Sequence, residues 1–284
     1  MHNAPSRQPC SLSASLSMPI EFHAALDAGR ARSNNEDSVA VEAEAGLAVL
    51  ADGMGGYNAG EVASHMLTSF VSAELGRWLR EASRQASDTD VRRAMDICVD
   101  NANRAIFNAA NANPQYAGMG TTLVLIVFRD TRLLVGHVGD SRCYRLRGEK
   151  FEQLTHDHSL LQEQIDSGQI TAEQARYSLN KNLVTRALGI EAIVPADISE
   201  YRLEPNDIYL LCSDGLTDMV DPEVVQGVVD DKRTELPQAA AELIDLANQN
   251  GGRDNISVVL VRVPPEFLPS SGWAQRFLAR KKGG

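Results

Sequence analysis

Short runs of Val, Ile and Leu, separated by turn residues, recur along the chain and predict a protein rich in β-strands. The predicted strands cover residues 20–26, 37–42, 46–51, 121–128, 132–139, 142–147, 197–203, 207–212 and 256–263. Apolar residues with helical spacing predict helices at 61–82, 90–111, 159–167, 222–230 and 237–249. Because the helices follow groups of strands and do not alternate with them, the pattern favours an α+β fold with mostly antiparallel sheets.

The composition is that of a globular protein and excludes several classes. The chain has 284 residues, enough for one large domain or two small ones, and a net charge of −11, which argues against a general affinity for nucleic acid. Its four cysteines are far apart and form no CxxC pair, so a disulfide framework or a zinc site is not expected. We therefore expect a reducing, cytoplasmic location. The longest apolar run, LVLIVF at 123–128, is too short to span a membrane.

The two ends of the chain differ from its middle. Residues 1–18 are rich in Ser and Pro and lack the apolar stretch of a signal peptide, so we interpret them as a disordered leader. Residues 265–284 are basic and weakly amphipathic, and we interpret them as a solvated tail, with contact to a membrane or a partner as the alternative. The domain itself is expected to span residues 19–264.

Acidic residues stand at the borders of five predicted strands, namely Glu36 with Asp37, Asp52, Asp140, Asp214 and Asp254. A single such residue is usually a turn or cap residue, but five at strand ends that meet would place several mutually repelling carboxylates in one small volume. A hard divalent cation, Mg²⁺ or Mn²⁺, relieves that repulsion, and the carbonyl of Gly53 can serve as a further ligand. Two such ions would activate a water and hold a phosphoryl group, for which Arg30 and Arg32 offer bidentate cations.

Nine stretches around these residues also occur in the order typical of one family. They are RSNNEDS (32–38), ADGMGG (51–56), GEVAS (60–64), MGTTLV (119–124), HVGDSRCY (137–144), LTHDHSL (154–160), LVTRALG (183–189), LLCSDGLTD (210–218) and GGRDNISVVLV (251–261). With them the sequence resembles the metal-dependent protein serine/threonine phosphatases of the protein phosphatase 2C (PPM) type, in their bacterial form. The resemblance implies a four-layer α-β-β-α sandwich, in which two antiparallel sheets pack face to face between helices.

The resemblance further implies a metal site at one end of the sandwich, with two or three Mn²⁺ or Mg²⁺ ions. Asp52 would bridge two ions, and the carbonyl of Gly53 would bind one of them. Asp214 and Asp254 would complete the shell of one ion. Asp140 would share a third, weaker ion with Asp214.

The remaining residues of the motifs have implied roles in holding water and substrate. Glu36 and Asp37 would hold metal-bound waters, and Arg32 would bind the phosphate. The hydroxide that bridges the metals would attack phosphorus directly, so no phosphoenzyme is expected. Arg32, Asp52 and Asp214 are thus the expected catalytic residues.

Two features depart from the family's pattern. Many bacterial members have a histidine directly after DGMGG, and eukaryotic ones often have it within the motif, where this chain has Tyr57 and Met54, so the usual proton donor to the leaving group is missing. His158 is a candidate substitute, with a turn-stabilising role as the alternative, and a metal-bound water is a further donor; His137 lies within a strand and is interpreted as a core residue. The insert at 160–182 corresponds to the family's flap, which affects substrate choice, and its end lacks a proline common there.

The leading hypothesis is a phosphatase that removes phosphate from serine and threonine of phosphorylated proteins and opposes a eukaryotic-like kinase; family members are often monomers. A catalytically silent regulatory domain that binds a partner is one alternative, and a nucleotide-binding protein that uses the Gly-rich loop is another. Silent members have usually lost metal ligands, whereas the acids are complete here, and no GxxxxGK[ST] motif is present. Both observations favour the enzyme.

Overall fold

The computed structural model describes residues 20–56, 59–82, 86–175 and 183–267. In these ranges the strands are β1 Glu21–Asp27, β2 Asp37–Glu42, β3 Leu47–Met54, β4 Gly120–Thr121, β5 Leu123–Arg129, β6 Arg132–Val138, β7 Arg142–Arg147, β8 Lys150–Gln153, β9 Asp197–Arg202, β10 Ile208–Cys212 and β11 Ile256–Arg262. The α-helices are α1 Ala59–Val71, α2 Arg77–Glu81, α3 Asp88–Ala112, α4 Leu160–Asp166, α5 Ala172–Ala175, α6 Asp214–Thr217, α7 Pro222–Asp231 and α8 Leu236–Gln249.

The strands form two antiparallel sheets. One has the order β1-β11-β10-β7-β8, and the other has the order β2-β3-β5-β6-β9, with the short β4 paired to the end of β3. Strands that are distant in sequence, such as β1 and β11, are direct neighbours, and this pairing brings the two ends of the domain together. The expected α+β fold with antiparallel sheets is confirmed.

Three hydrophobic cores lie between four layers. The middle core fills the space between the two sheets and includes Leu50, Ile126 and Tyr209. A second core joins α1 and α3 to one sheet, and a third joins α7 and α8 to the other. Strands buried on both faces read as continuous apolar runs, which explains the strong strand pattern in the sequence. The four-layer α-β-β-α sandwich is therefore confirmed.

Several details differ from the predicted elements, including a break in the first long helix, an additional strand and a longer β3. The helix expected at 61–82 is α1 and α2 joined by a π-helical segment, Ser72–Gly76. Strand β8, which pairs with β7, was not predicted, because its sequence KFEQ has little apolar character. Strand β3 does not end before Asp52 but continues to Met54, since β4 pairs with its last residues.

Some predicted segments lie outside the described residues: the leader 1–18, most of the tail 265–284, Tyr57 and the last part of the flap. Phe267, inside the predicted tail, is buried and belongs to the core between the sheets. Among the described residues, none of the helices combines the length and apolarity that a membrane crossing requires. Cys98, Cys143 and Cys212 are buried free thiols.

Candidate metal centre

The pairing of β2 with β3 places two of the predicted acids opposite each other. Asp37 is the direct neighbour of Asp52 in the antiparallel register. The backbone of Asp52 is fixed by the segment before β5, since its N–H donates to the Thr122 hydroxyl (3.0 Å) and its carbonyl accepts from the Thr122 N–H (2.8 Å). Asp52 is therefore held in an extended strand, and its carboxylate points from a rigid element.

Gly53 is required by close packing of the backbone. A Cβ atom at this position would lie 2.1 Å from the carbonyl oxygen of Gly60 and 2.6 Å from that of Glu36. The N–H of Gly53 donates to the same Glu36 carbonyl (3.1 Å). The glycine thus lets the first turn of α1 and the loop before β2 close around the end of β3, whether or not its own carbonyl binds a metal.

The second sheet contributes Asp214, the first residue of α6, directly after β10. The preceding residue, Ser213, donates its hydroxyl proton to Asp37 Oδ2 (2.8 Å) and accepts a hydrogen bond from the Ser257 N–H (3.1 Å). This contact joins the ends of the two sheets. Asp37 is buried, and its second oxygen, Oδ1, has no partner among the described residues.

Asp140 follows β6 at a sharp turn. The preceding Gly139 has φ +105°, and a Cβ atom there would lie 2.7 Å from the Thr122 side chain, so only glycine fits. Asp140 is 7% exposed. The turn aims its carboxylate at the space in front of Asp52 and Asp214.

Asn255 organises the remaining loops of the site. Its side chain accepts from the Glu36 N–H (2.7 Å) and donates to the carbonyls of Ala28 (3.0 Å) and Asn34 (2.9 Å). The neighbouring Asp254 accepts from an Arg32 guanidinium N–H at 2.7 Å. One residue at the start of β11 therefore holds the whole RSNNED loop against the acids.

A cavity of about 430 Å³ lies among these elements. Most of the predicted site residues line it, together with Met54, Gly55, Thr122, Leu183 and Val184; they are Arg32, Glu36, Asp52, Gly53, Asp140, Asp214 and Asp254. Asp37 is the exception. It lies behind the residues that line the cavity, where it accepts a hydrogen bond from Ser213. A neighbouring cavity of about 560 Å³ shares Asp140 and Asp214 and extends between α4 and the start of α7.

Burial and mutual repulsion dominate the electrostatics of the site. Burial, together with the charges of Asp37 and Asp214, holds the pKa of Asp52 well above its usual range. Burial and the charge of Asp140 do the same to the pKa of Asp214. Burial raises the pKa of Asp37 to about 6, and burial with the charge of Asp157 raises the pKa of Asp140 to about 6. Groups of acids with such raised pKa values are typical of functional sites.

The donor set fits hard divalent cations. As placed here, no three His, Cys, Asp or Glu side chains of the described residues stand together in an arrangement that could hold an ion. However, several carboxylates crowd one cavity, Asp37 Oδ1 is an orphaned buried oxygen, and all candidate ligands are oxygen atoms. A divalent cation would remove the repulsion that raises the pKa values, so these residues suit Mg²⁺ or Mn²⁺.

The histidines near the site do not reach the cavity. His137 is 2% exposed within β6, as predicted for a core residue, and burial lowers its pKa to about 3. His158 is not among the residues that line the cavity, and both of its ring nitrogens have protein partners. The described part of the chain thus offers no histidine as a proton donor, while Tyr57 lies outside it.

Sequence reasoning did not assign roles to Thr122, Ser213 and Asn255. All three lie inside the motifs that carried the resemblance, and Ser213 and Asn255 are adjacent to the predicted acids Asp214 and Asp254. Their functions are contacts over 70, 176 and 219 positions of sequence, respectively, so no local pattern indicates them. For Ser213 and Asn255 the position beside a metal-ligand candidate was the available signal, and Thr122 had none of this kind.

Comparison with known proteins identifies the family of the chain. The protein phosphatase 2C family model matches residues 23–256. The serine/threonine phosphatase stp of Listeria innocua is 37% identical over 247 residues, which cover 86% of this chain and 95% of that protein. Protein phosphatase PhpP of Streptococcus pneumoniae is 35% identical over 253 residues, which cover 87% of this chain and 99% of that protein.

Solved structures show the same similarity. The serine/threonine phosphatase PstP/Ppp of Mycobacterium tuberculosis matches with a TM-score of 0.77 and 36% identity, covering 86% of this chain and 99% of that one. A structure of the PstP catalytic domain in complex with two manganese ions matches with a TM-score of 0.75 and 37% identity, covering 86% and 98%. The family model spans most of the chain, and the relatives match nearly end to end. The chain therefore belongs to the protein phosphatase 2C family and is a protein serine/threonine phosphatase of the bacterial type.

Proposed function

We propose that the cavity of about 430 Å³ is the active site, where the protein hydrolyses phosphoserine and phosphothreonine of other proteins. The observation that supports this most is the set of acids around the cavity. Asp52, Asp140 and Asp214 come from three separate strand ends and have no ion pair within the described residues, although burial raises their pKa values. Such a site is suited to cations and to the phosphate they bind.

The residues that would hold two or three Mn²⁺ or Mg²⁺ ions are those expected from the sequence. They are Asp52, the carbonyl of Gly53, Asp140, Asp214 and Asp254. Glu36 at the cavity and Asp37 behind its lining would accept hydrogen bonds from metal-bound waters. When bound, such ions supply an activated water and neutralise charge on the phosphoryl group. The structure of the related PstP domain with two manganese ions supports Mn²⁺ as one of the metals.

The chain's own residues orient the substrate. Arg32 lies at the rim of the cavity with its side chain 48% exposed, so its guanidinium can reach a phosphate in solution. Its partner here, Asp254, is itself a candidate ligand, and a cation bound by Asp254 would weaken this ion pair. Arginine binds phosphate oxygens in a bidentate way, which fixes the direction from which water can attack.

The cavity of about 560 Å³ is the natural place for the peptide around the phosphorylated residue. It is contiguous with the first cavity at Asp140 and Asp214, and one wall is formed by Leu161, Gln162 and Ile165 of α4. This helix is the first element of the flap. Contacts with α4 would thus make the flap a determinant of substrate choice.

Three further expectations concern the protein in the cell: the kinase that it opposes, its oligomeric state and its location. We expect the enzyme to oppose a serine/threonine kinase, because its relatives are named serine/threonine phosphatases. We expect it to act as a monomer, as family members often do. We expect a cytoplasmic location, which is supported by three buried free cysteines among the described residues.

The decisive experiment measures hydrolysis of an aryl phosphate and of a phosphothreonine peptide by the chelator-treated protein, with and without added Mn²⁺ or Mg²⁺. We expect activity on both substrates that depends on the metal and disappears in EDTA. Full activity in EDTA would overturn the metal mechanism. Absence of activity with every metal, while the folded protein still binds a phosphoprotein, would favour the silent regulatory domain.

A further inference from the structure

His158 lies where the two ends of the flap meet the turn that carries Asp140. Its N–H donates to the Gly139 carbonyl (2.7 Å), and its carbonyl accepts from the Thr185 N–H (2.8 Å). The next residue, Ser159, forms an isolated β-bridge with Val184. The backbone around His158 therefore connects the start of the flap, the end of the flap and the turn after β6.

The side chain of His158 makes two further hydrogen bonds that fix its tautomer. Nδ1 accepts from the Gly139 N–H at 3.0 Å, so the ring proton must lie on Nε2. Nε2 then donates to Asp197 Oδ2 at 3.0 Å, and the other oxygen of Asp197 accepts from Arg186 at 3.1 Å. A continuous chain of hydrogen bonds thus runs from Arg186, just after the flap, to the peptide of Gly139.

Hydrogen bonds hold the conformation of Gly139, because a glycine has access to more backbone conformations than other residues. It has φ +105° and no side chain that could pack against its surroundings. Both of its backbone polar groups bond to His158, the carbonyl to the N–H and the N–H to the ring. The ring of His158 thus holds the Val138–Gly139 peptide, and its backbone N–H holds the Gly139–Asp140 peptide. Together these two peptides set the direction of Asp140, which lines both cavities.

His158 is itself held rigidly. It is 8% exposed, and its ring packs on the ring of His137 at a centroid distance of 4.6 Å. The preceding Asp157 is fixed by Arg142, whose Nε and Nη2 donate to the same carboxylate oxygen at 2.8 and 2.6 Å. A buried ring whose two nitrogens are both hydrogen-bonded can hold neighbouring groups in place. It is not available to exchange protons with a substrate.

We propose that His158 is a positioning residue: its Nδ1 holds the Val138–Gly139 peptide, and with it the turn that directs Asp140, and its Nε2 couples this turn to the end of the flap through Asp197 and Arg186. The proposal rests on the proposed function in one respect, which is that Asp140 binds a metal ion. It assigns the two nitrogens separate tasks, and these tasks can be tested separately.

Two substitutions divide the two nitrogens. In His158→Asn the amide oxygen can take the position of Nδ1 and accept from Gly139, whereas in His158→Gln the amide nitrogen can take the position of Nε2 and donate to Asp197. We expect His158→Asn to bind Mn²⁺ within about threefold of the wild type, and His158→Gln to lose about tenfold or more in affinity for the weakest site. Asp140→Asn is the reference for loss of that site.

The measurement is Mn²⁺ titration by calorimetry, with thermal unfolding of each variant to confirm that it is folded. His156→Asn is the matched control, because His156 is an exposed histidine two positions away that bonds to Asp166 instead of Gly139. Equal Mn²⁺ affinity of His158→Gln and the wild type would overturn the role of Nδ1. So would an Asn variant that loses as much affinity as the Gln variant.

The coupling to the flap has its own test. Asp197 is 57% exposed at its side chain, so Asp197→Ala should fold. We expect its KM for a phosphothreonine peptide to rise about threefold or more while its KM for an aryl phosphate is unchanged, because only the peptide reaches the flap. Unchanged KM values for both substrates would overturn the coupling. A wild type that neither binds Mn²⁺ nor hydrolyses either substrate would instead overturn the proposed function.

Discussion

Two regions of this protein bury aspartates in opposite ways. Asp207, at the start of β10, is fully buried and accepts from Arg147 Nε (2.8 Å) and Nη2 (2.7 Å), from the Tyr209 hydroxyl (2.9 Å) and from the Glu204 N–H (2.9 Å). At the other end of the same strand, Asp214 joins a group of acids with no basic partner among the described residues except Arg32 on Asp254. Hydrogen-bond donors surround the carboxylate of Asp207, whereas the carboxylates near Asp214 have one another as neighbours.

The difference indicates which acids are structural and which are functional. A buried charge is costly unless a partner compensates it, and the chain supplies that partner for Asp207. Around the cavity it supplies none for Asp52, Asp140 and Asp214, and their pKa values rise as a result. Folding of the sandwich therefore carries an electrostatic cost at one end, which a bound cation would relieve. Substitutions in the two regions should therefore affect stability and activity differently.

The largest effect is expected from Asp214→Asn. This change removes a candidate ligand shared by two metal sites, so kcat/KM should fall by about 10³-fold or more. The free energy of unfolding in the absence of metal should not decrease, because one of several repelling charges is removed. Steady-state kinetics and urea unfolding of the chelated protein measure the two quantities. A variant that keeps full activity would remove Asp214 from the mechanism.

Added metal should stabilise the protein only by binding to the acids of the cavity. At a free Mn²⁺ concentration of about 100 times Kd, one site raises the free energy of unfolding by about 2.7 kcal/mol. Thermal unfolding with and without Mn²⁺ should show this gain in the wild type and in Asp207→Asn, and a much smaller one in Asp214→Asn. An equal gain in all three proteins would mean that Mn²⁺ binds elsewhere.

Asp207→Asn should show the opposite behaviour to Asp214→Asn. It removes the buried charge that Arg147 pairs with and leaves the guanidinium with Glu204 and the Arg202 carbonyl as partners, so we expect a loss of about 2 kcal/mol in the free energy of unfolding. The kcat/KM of the folded enzyme should be unchanged, because Asp207 lies at the far end of β10. Urea unfolding and kinetics at a temperature where the variant is folded test both points. A large loss of activity without loss of stability would contradict the comparison.

The apolar pattern predicted most strands and helices well because the strands are buried on both faces and the helices have clear apolar stripes, whereas the four-layer sandwich was implied by the family resemblance. The predicted bounds of β2 and β7 match, β1 is shifted by one residue at both ends, and α8 begins one residue before its predicted start. The prediction failed for β8, whose residues are mostly polar, and for the end of β3. Asp52 and Gly53 looked like a turn, whereas pairing of Asp52 with Asp37 and of Gly53 with the distant Thr121 keeps them in a strand.

For the site, the sequence indicated the acids but not their supports. Carboxylates at strand ends are visible in the sequence as a local pattern. All of the predicted site residues except Asp37 line one cavity in the folded protein. The hydrogen bonds from Ser213 to Asp37 and from the Glu36 N–H to Asn255 join segments that only the folded topology brings together. The same holds for His158, where the turn-stabilising alternative agrees with the observed contact to Gly139.

The smallest effect is expected from Arg32 and Asp254, because Asp254 has a basic partner, like Asp207, and lines the cavity, like Asp214. Arg32 and Asp254 form an ion pair with side chains 48% and 28% exposed, so Arg32→Lys should change the free energy of unfolding by less than about 1 kcal/mol. In catalysis we expect about a tenfold loss of kcat/KM, because lysine cannot bind phosphate in the bidentate way of arginine. Arg30→Lys, in the same loop, is the control and should keep its activity. If both variants behave alike, Arg32 does not bind the phosphate, and its pairing with Asp254 is a surface contact comparable to the other exposed ion pairs.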